Sequence, residues 1–255
     1  MVKKWTITIP QLTGDEPRRA YIYLPESYAY DTLRRYPVLY MFDGQNVFFD
    51  WDATYGKSWG LKEYMDFTQT EIIIAAVECD RSPDNGRLSE YSPFDFTDPK
   101  WGTFEGRGAI TMDWYVEEFK PFIDANYRTV PDREATFIAG SSMGGLMSLY
   151  AVTAYNEVFS GAAALSPSLW VSPVQLNRLI RETYFAPGTR VYLDYGSEEM
   201  EFHSRMVRQF AKVTQLLLEK HVYVTSRIVP GGDHSEASWE KQAPFYMEAL
   251  LFEND

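Results

Sequence analysis

Chemistry in this chain centres on Gly140-Ser141-Ser142-Met143-Gly144-Gly145. The β-type run Ala135-Thr136-Phe137-Ile138 precedes it, and residues 146–152 after it have helical character. A strand, a sharp turn with glycines and a helix form the setting in which a serine is held exposed at a strained backbone angle. A side chain two positions before or after such a serine would clash. Ser142 has glycine at both places, Gly140 and Gly144, whereas Ser141 has Ala139 and Met143 there. Ser142 is therefore the expected nucleophile. The helix that begins at the turn points its first N–H groups, and the positive end of its dipole, at developing negative charge.

A serine hydroxyl needs a base to take its proton, and the base needs an orienting group. There are three histidines. His234 lies in Pro230-Gly231-Gly232-Asp233-His234-Ser235, between the last strand pattern and the last helix pattern. In a parallel sheet that is a C-terminal strand end, where acting groups sit. His221 falls between a helix and the start of a strand, at the opposite edge, and His203 falls inside a long helix. Surface or capping roles are expected for both. The orienter is expected in the loop Gly196-Ser197-Glu198-Glu199 after the strand at 191–195. Glu198 and Glu199 also open a helix, where acids are favoured in any case. Asp194 lies within the strand, its direction fixed by the pleat. The expected oxyanion donors are the N–H of Met143 and that of Gln45, in Asp43-Gly44-Gln45-Asn46-Val47, with Gly44 permitting a tight bend.

The elements that must position these groups follow from periodicity. Residues 5–9 and 19–24 alternate, as an antiparallel edge pair should. Residues 36–42 and 71–77 are nearly continuous apolar runs, as strands buried on both faces should be. Further strands are expected at 136–139, 161–165, 191–195 and 222–229. Helices are expected at 58–67, 112–125 (bent or cut short by Pro121), 176–183, 198–220 and 235–252, the last with Ser235 as N-cap. Strands alternating with helices imply an α/β fold with a mostly parallel sheet of about eight strands, helices on both faces and antiparallel N-terminal strands. No linker or repeat interrupts the pattern, so residues 1–255 are expected to form one domain. The irregular stretch 78–111 is long, and long loops are usually functional.

Composition narrows the partners. At 255 residues, 45% hydrophobic, the chain can build a full core. A formal net charge of −12 argues against nucleic acid and anionic membrane. The single cysteine, Cys79, allows no disulfide within the chain. The N-terminal residues hold no apolar signal-type core, and no run reaches the length of a membrane span, so a cytoplasmic location is expected. Asp50-Trp51-Asp52-Ala53-Thr54 fits D-x-D-x-T, a phosphoaspartyl nucleophile loop. That chemistry requires a strand ending at the first Asp and downstream metal-binding carboxylates, and neither is evident. No His/Cys cluster supports a metal, and no cofactor is expected.

Several stretches together resemble the α/β-hydrolase family that contains enterochelin esterase-like proteins, feruloyl and acetyl-xylan esterases, S-formylglutathione hydrolase and the mycolyltransferases. They are Val38-Leu39-Tyr40-Met41-Phe42-Asp43-Gly44-Gln45-Asn46-Val47-Phe48, Glu90-Tyr91-Ser92-Pro93-Phe94, Phe119-Lys120-Pro121-Phe122-Ile123-Asp124, Ile138 to Gly145, Leu165-Ser166-Pro167-Ser168-Leu169-Trp170 and Gly231-Gly232-Asp233-His234-Ser235. The resemblance implies the α/β-hydrolase fold and a serine esterase acting through an acyl-enzyme. Its acid, three residues after the glycine of the loop after strand 191–195, falls on Glu199, where many relatives have Asp. Acyl transfer to an alcohol differs only in the second acceptor, and a catalytically silent binding domain is the remaining alternative. Relatives that take ferric siderophores often add an N-terminal domain.

For the substrate, the loops expected around Ser142 carry Trp51, Tyr55, Trp59, Tyr91, Phe94, Trp101 and Trp170, with Trp239 just past His234. Aromatic rings stack on sugar faces and on aryl groups, and three or four of these are expected in the cleft. The candidate substrate-binding residues are Asp43, Trp59, Arg87, Tyr91, Trp170 and Trp239. The charge disfavours a trianionic siderophore unless Arg81, Arg87 or Arg107 gathers at the mouth. A small-molecule or oligosaccharide ester is the expected partner.

Overall fold

The computed structural model describes residues 1–202 and 204–252. His203 lies outside them. Among the described residues, ten strands run in chain order: β1 Val2–Ile9, β2 Gly14–Tyr23, β3 Val38–Met41, β4 Ile73–Val77, β5 Phe96–Asp98, β6 Gly102–Phe104, β7 Thr136–Ser141, β8 Gly161–Leu165, β9 Arg190–Gly196 and β10 Tyr223–Val229. Eight of them form one sheet in the order β1-β2-β4-β3-β7-β8-β9-β10, and β5 and β6 pair as a separate hairpin. β1–β2 and β2–β4 are antiparallel. Every other neighbour in the large sheet is parallel. This is the α/β-hydrolase arrangement. The direction of winding reverses between β3 and β7, and a crevice at such a switch point is where ligands bind in open α/β sheets.

The period of two in the strands sorts side chains into two cores. Val38, Tyr40, Ile73, Ala75, Ile138, Ala162 and Leu193 pack on one face. Leu39, Met41, Ile74, Ala76, Phe137, Ala163 and Tyr192 pack on the other. The helix expected at 58–67 begins only at Leu61, after Gly60 in the left-handed conformation, and two others depart from their sequence pattern at a proline. Residues 108–126 form one continuous helical run that widens into a π turn at Tyr115–Phe119. Pro121 has no N–H for the carbonyl four residues back, so the turn ahead of it loosens while the helix continues. The closing segment splits into Glu236–Glu240 and Ala243–Leu251, with a proline in the first turn of the second piece. Pro244 is suited to a helix start and not to its interior. Ser235 caps the first piece, its side chain accepting from Ser238 N–H.

The long stretch 78–107 is pinned to the sheet by a buried ion pair. Arg18 on β2 donates to both carboxylate oxygens of Glu90 at 2.8 Å, and Asp80 N–H donates to the same carboxylate at 3.0 Å. Among the described residues, no helix is long and apolar enough to cross a membrane.

Candidate active site

Ser142 follows β7 at φ 58°, ψ −119°, and the helix Met143–Ala154 begins at the next residue. A β-carbon on Gly140 would lie 2.7 Å from the Gly144 carbonyl carbon, so the two ends of the turn approach as closely as glycine allows. The Ser142 backbone is held on both sides. Its N–H donates to Leu165 O at 2.9 Å, and its carbonyl accepts from Ser168 N–H at 2.9 Å. The strained turn is thereby braced against the end of β8.

The imidazole of His234 lies 2.9 Å from Ser142 Oγ through Nε2, and 2.6 Å from Glu199 Oε2 through Nδ1. His234 arrives from the loop after β10 and Glu199 from the helix that follows β9. These loops meet because Gly196 and Gly232 touch. A β-carbon on Gly232 would come 3.0 Å from the Gly196 Cα, and one on Gly196 would collide with the Gly232 carbonyl. Glu198 N–H donates to that carbonyl at 3.0 Å, while its side chain is exposed. Glu199 is fixed from behind: Oε1 accepts from Ser166 Oγ at 2.7 Å and from Gly196 N–H at 3.0 Å. Trp239 lies edge-to-face against the imidazole at 5.1 Å and donates its indole N–H to Ser166 Oγ at 3.0 Å. The geometry is that of a nucleophile, a base and an orienter in one hydrogen-bonded line. His221 closes the far end of the helix Ser204–Glu219, at positive φ and exposed.

Across from this line, the residues after β3 form a short 3₁₀ turn, Gly44–Asn46. Met143 and Gln45 both stand in first turns, where N–H groups have no carbonyl partner within their own helix. The bend is made differently from the sequence expectation. Asp43, not Gly44, takes the left-handed conformation, at φ 55°. Gly44 is needed because the backbone passes so close to β4 that a β-carbon would sit 2.8 Å from Val77 N and C. Asp43 is clamped by Arg87, with Nε to Oδ1 and Nη2 to Oδ2 both at 2.7 Å. Its N–H donates to Tyr91 Oη at 3.1 Å.

These groups line a pocket of about 710 Å³. Its walls include Asp43, Asn46, Arg81, Arg87, Ser142, His234, Glu236 and Trp239, with Tyr55 at its edge. Of the expected substrate-binding residues, Asp43, Arg87 and Trp239 therefore line it. Trp59 is buried against Trp239 and Tyr246, Tyr91 is buried beneath Asp43, and Trp170 packs on Phe96, outside the pocket walls. Trp101 lies beyond the walls at the hairpin turn, Trp51 stacks on Phe49, and Phe94 packs on Tyr150. The expected aromatic lining reduces to Tyr55 and Trp239: Trp59 and Tyr91 are taken up by the core, where large rings gain most from burial, whereas Trp51, Trp101 and Trp170 stand exposed elsewhere. Arg107 bonds the carbonyls of Gln11 and Leu12, away from the site. In the D-x-D-x-T segment, Asp50 caps Ser58 and Asp52 pairs with Lys4 and Arg19, so both carboxylates are structural. No cluster able to hold a metal occurs among the described residues.

Ser166, Ser168, Asn46 and Glu236 were not singled out by residue type. Ser168 Oγ lies 3.4 Å from Ser142 Oγ. The usable signal for both serines was their position just past the end of β8. Nothing local marks Asn46 or Glu236, which are 190 residues apart in sequence and meet only in the fold.

A model of the family described as "Putative esterase" matches residues 13–251. The chain belongs to this family. It is an esterase, in the class of carboxylic ester hydrolases. It is 27% identical to the uncharacterized protein YbbA of Bacillus subtilis (strain 168) over 210 residues, 80% of this chain and 79% of that one. The structure is similar to that of a ferulic acid esterase, with TM-score 0.70 and 19% identity over 98% of this chain and 97% of the other. It is also similar to the enterobactin esterase FES from Shigella flexneri, solved in the presence of enterobactin. There the TM-score is 0.73 and the identity 19%, over 98% of this chain and 57% of the other. At these identities the two structures speak for the fold.

Proposed function

We propose that this esterase cleaves acyl esters of carbohydrates, or esters of short or aromatic acids, through an acyl-enzyme on Ser142. His234 takes the Ser142 proton as the hydroxyl attacks the ester carbonyl. Glu199 holds the imidazole in one tautomer and stabilises the imidazolium. The N–H groups of Met143 and Gln45 receive the oxyanion. His234 then gives its proton to the leaving alcohol, and water drawn to the same imidazole releases the acid. The observation that carries this reading is the unbroken line Ser142 Oγ, His234 Nε2 at 2.9 Å, and His234 Nδ1 to Glu199 Oε2 at 2.6 Å.

The test is labelling by a fluorophosphonate together with burst release of nitrophenol from a nitrophenyl ester. One equivalent of label is expected on Ser142. Ser142→Ala is expected to fold, to resist the label and to lose on the order of 10⁶ in kcat. Full activity in that variant would overturn the assignment. A second reading, a siderophore esterase, draws support from Arg81, a half-exposed guanidinium in the pocket wall. Hydrolysis of a triscatecholate ester beside acetylated and feruloylated sugars, at two salt concentrations, separates the two. A siderophore preference that shrinks with salt favours the second reading.

A further inference from the structure

Glu236 follows His234 by two residues and lines the same pocket as Ser142. It is 7% exposed. From the side chains around it, its carboxylate accepts one long hydrogen bond, from Asn46 Nδ2 at 3.3 Å, and it joins no ion pair among the described residues. A carboxylate offers about four acceptor positions; Asn46 and the residue's own N–H engage it, and the capacity that remains is open to whatever fills the pocket. Burial raises its pKa, a hydrogen bond from its own N–H offsets part of the rise, and the nearby Asp43 adds to it. Asn46 cannot turn away, because its Oδ1 accepts from Thr54 N–H at 2.9 Å, which commits Nδ2 to the Glu236 side. The pair therefore presents an acceptor and a neighbouring donor to the pocket. A hydroxyl, which donates and accepts at once, satisfies both.

We propose that Glu236, with Asn46, recognises a hydroxyl on the alcohol half of the ester, so that the preferred leaving group is a sugar or other polyol. This rests on the esterase reading above. The alcohol half is assigned because His234 protonates the leaving oxygen, so the leaving group lies on the His234 side, where Glu236 stands. Arg81 and Arg87 in the same walls are each paired already, with Glu78 and Asp43, so neither is left to pair with Glu236.

The experiment compares kcat/KM for a monoacetylated methyl xyloside and for cyclohexyl acetate, a ring of the same size without hydroxyls. The wild type is expected to favour the xyloside, since a site built to bind a hydroxyl rejects the analogue that lacks it. In Glu236→Gln and Glu236→Leu the ratio of the two is expected to fall about ten- to a hundred-fold, mainly through KM for the xyloside. A wild-type preference for cyclohexyl acetate overturns the proposal whatever the variants do. So does an unchanged ratio in a folded Glu236→Gln, or an equal loss on both esters through kcat, which would place Glu236 behind His234. If the wild type cleaves neither ester and takes no label on Ser142, the esterase reading itself has failed. If label and hydrolysis are present and the ratio alone is flat, only this inference has failed.

Discussion

Two carboxylates flank His234, and they are held in opposite ways. Glu199 has a partner for each oxygen: Ser166 Oγ and Gly196 N–H on Oε1, and the imidazole on Oε2. Glu236 has one long side-chain bond, from Asn46, beside one from its own N–H, and it faces the pocket. A carboxylate whose lone pairs the protein itself satisfies can orient a neighbour, because its own position is determined. One left half-satisfied is a recognition group, because a ligand completes it. A third acid, Asp43, stands with Glu199 in this respect, since Arg87 takes both its oxygens. Its task is to fix the turn that carries Gln45.

The largest effect should come from breaking the fully satisfied side. Glu199→Gln is expected to lower kcat by about 10⁴, by analogy with amide replacement of a triad acid, since an amide N–H facing Nδ1 favours the wrong tautomer. Glu198→Gln should leave kcat within a few-fold. A larger loss in Glu198→Gln than in Glu199→Gln would reassign the orienter and dissolve the contrast. Next comes Asp43→Asn. Asparagine tolerates the left-handed backbone, so the substitution removes the charge opposite Arg87 and little else. Leaving one half of a largely buried pair alone costs about 3 kcal/mol, which in a chain of this size is a fall in Tm of roughly 6–12 °C, read by calorimetry. An unchanged Tm would mean that the pair is not structural.

How far these contrasts are legible in the sequence follows from how each group is built. Ser142 is marked by its own strand-turn-helix context and by glycines two residues away. His234 and Glu199 sit one loop beyond a strand pattern, so element order alone brings them to the same end of the sheet. The count of about eight strands, the first antiparallel, follows from the same alternation, whereas their order in the sheet is seen only in the fold. The pocket walls obey no such local rule. Arg87 reaches Asp43 across 44 residues, and Asn46 reaches Glu236 across 190. Aromatic residue type could not separate Trp239, in the wall, from Trp59, packed behind it. Gly44 was legible as special but for another reason, since a close pass to β4 is a tertiary event.

A buried acid behind the orienter sharpens the comparison through pH. Asp194 lies at the end of β9 and accepts from Ser166 N–H at 3.0 Å and Tyr192 Oη at 2.7 Å. Burial pushes its pKa from 3.8 up to about 6. Between those values the folded chain holds a proton that the unfolded chain has lost. The unfolded state then binds fewer protons, and stability falls as pH rises through roughly 4 to 6. Two pKa units correspond to about 2–3 kcal/mol. Asp194→Asn should abolish that slope, so its stability relative to wild type should rise from pH 4 to pH 6 and stay level above. Denaturant titrations at several pH values measure it, and parallel pH curves for the two proteins would refute it.

The smallest effect concerns the brace between the two sides. Ser166 Oγ donates to Glu199 and accepts from the Trp239 indole, so one hydroxyl ties the orienter to the ring that packs on the imidazole. Ser166→Ala removes that tie and leaves the Trp239 N–H without its acceptor. A loss of about ten-fold in kcat is expected, near the worth of one hydrogen bond to a charged group, with KM little changed because the serine does not line the pocket. Ser166 also stands at φ 42°, so alanine keeps the backbone strain while glycine relieves it. Ser166→Gly should therefore match alanine in activity and exceed it in stability. If the hydroxyl works only through Glu199, its removal in the Glu199→Gln background should cost almost nothing more, because coupled groups are not additive. A further full ten-fold loss in the double variant would show that Ser166 acts on His234 by way of Trp239, and that the orienter is not held as completely as its hydrogen bonds imply.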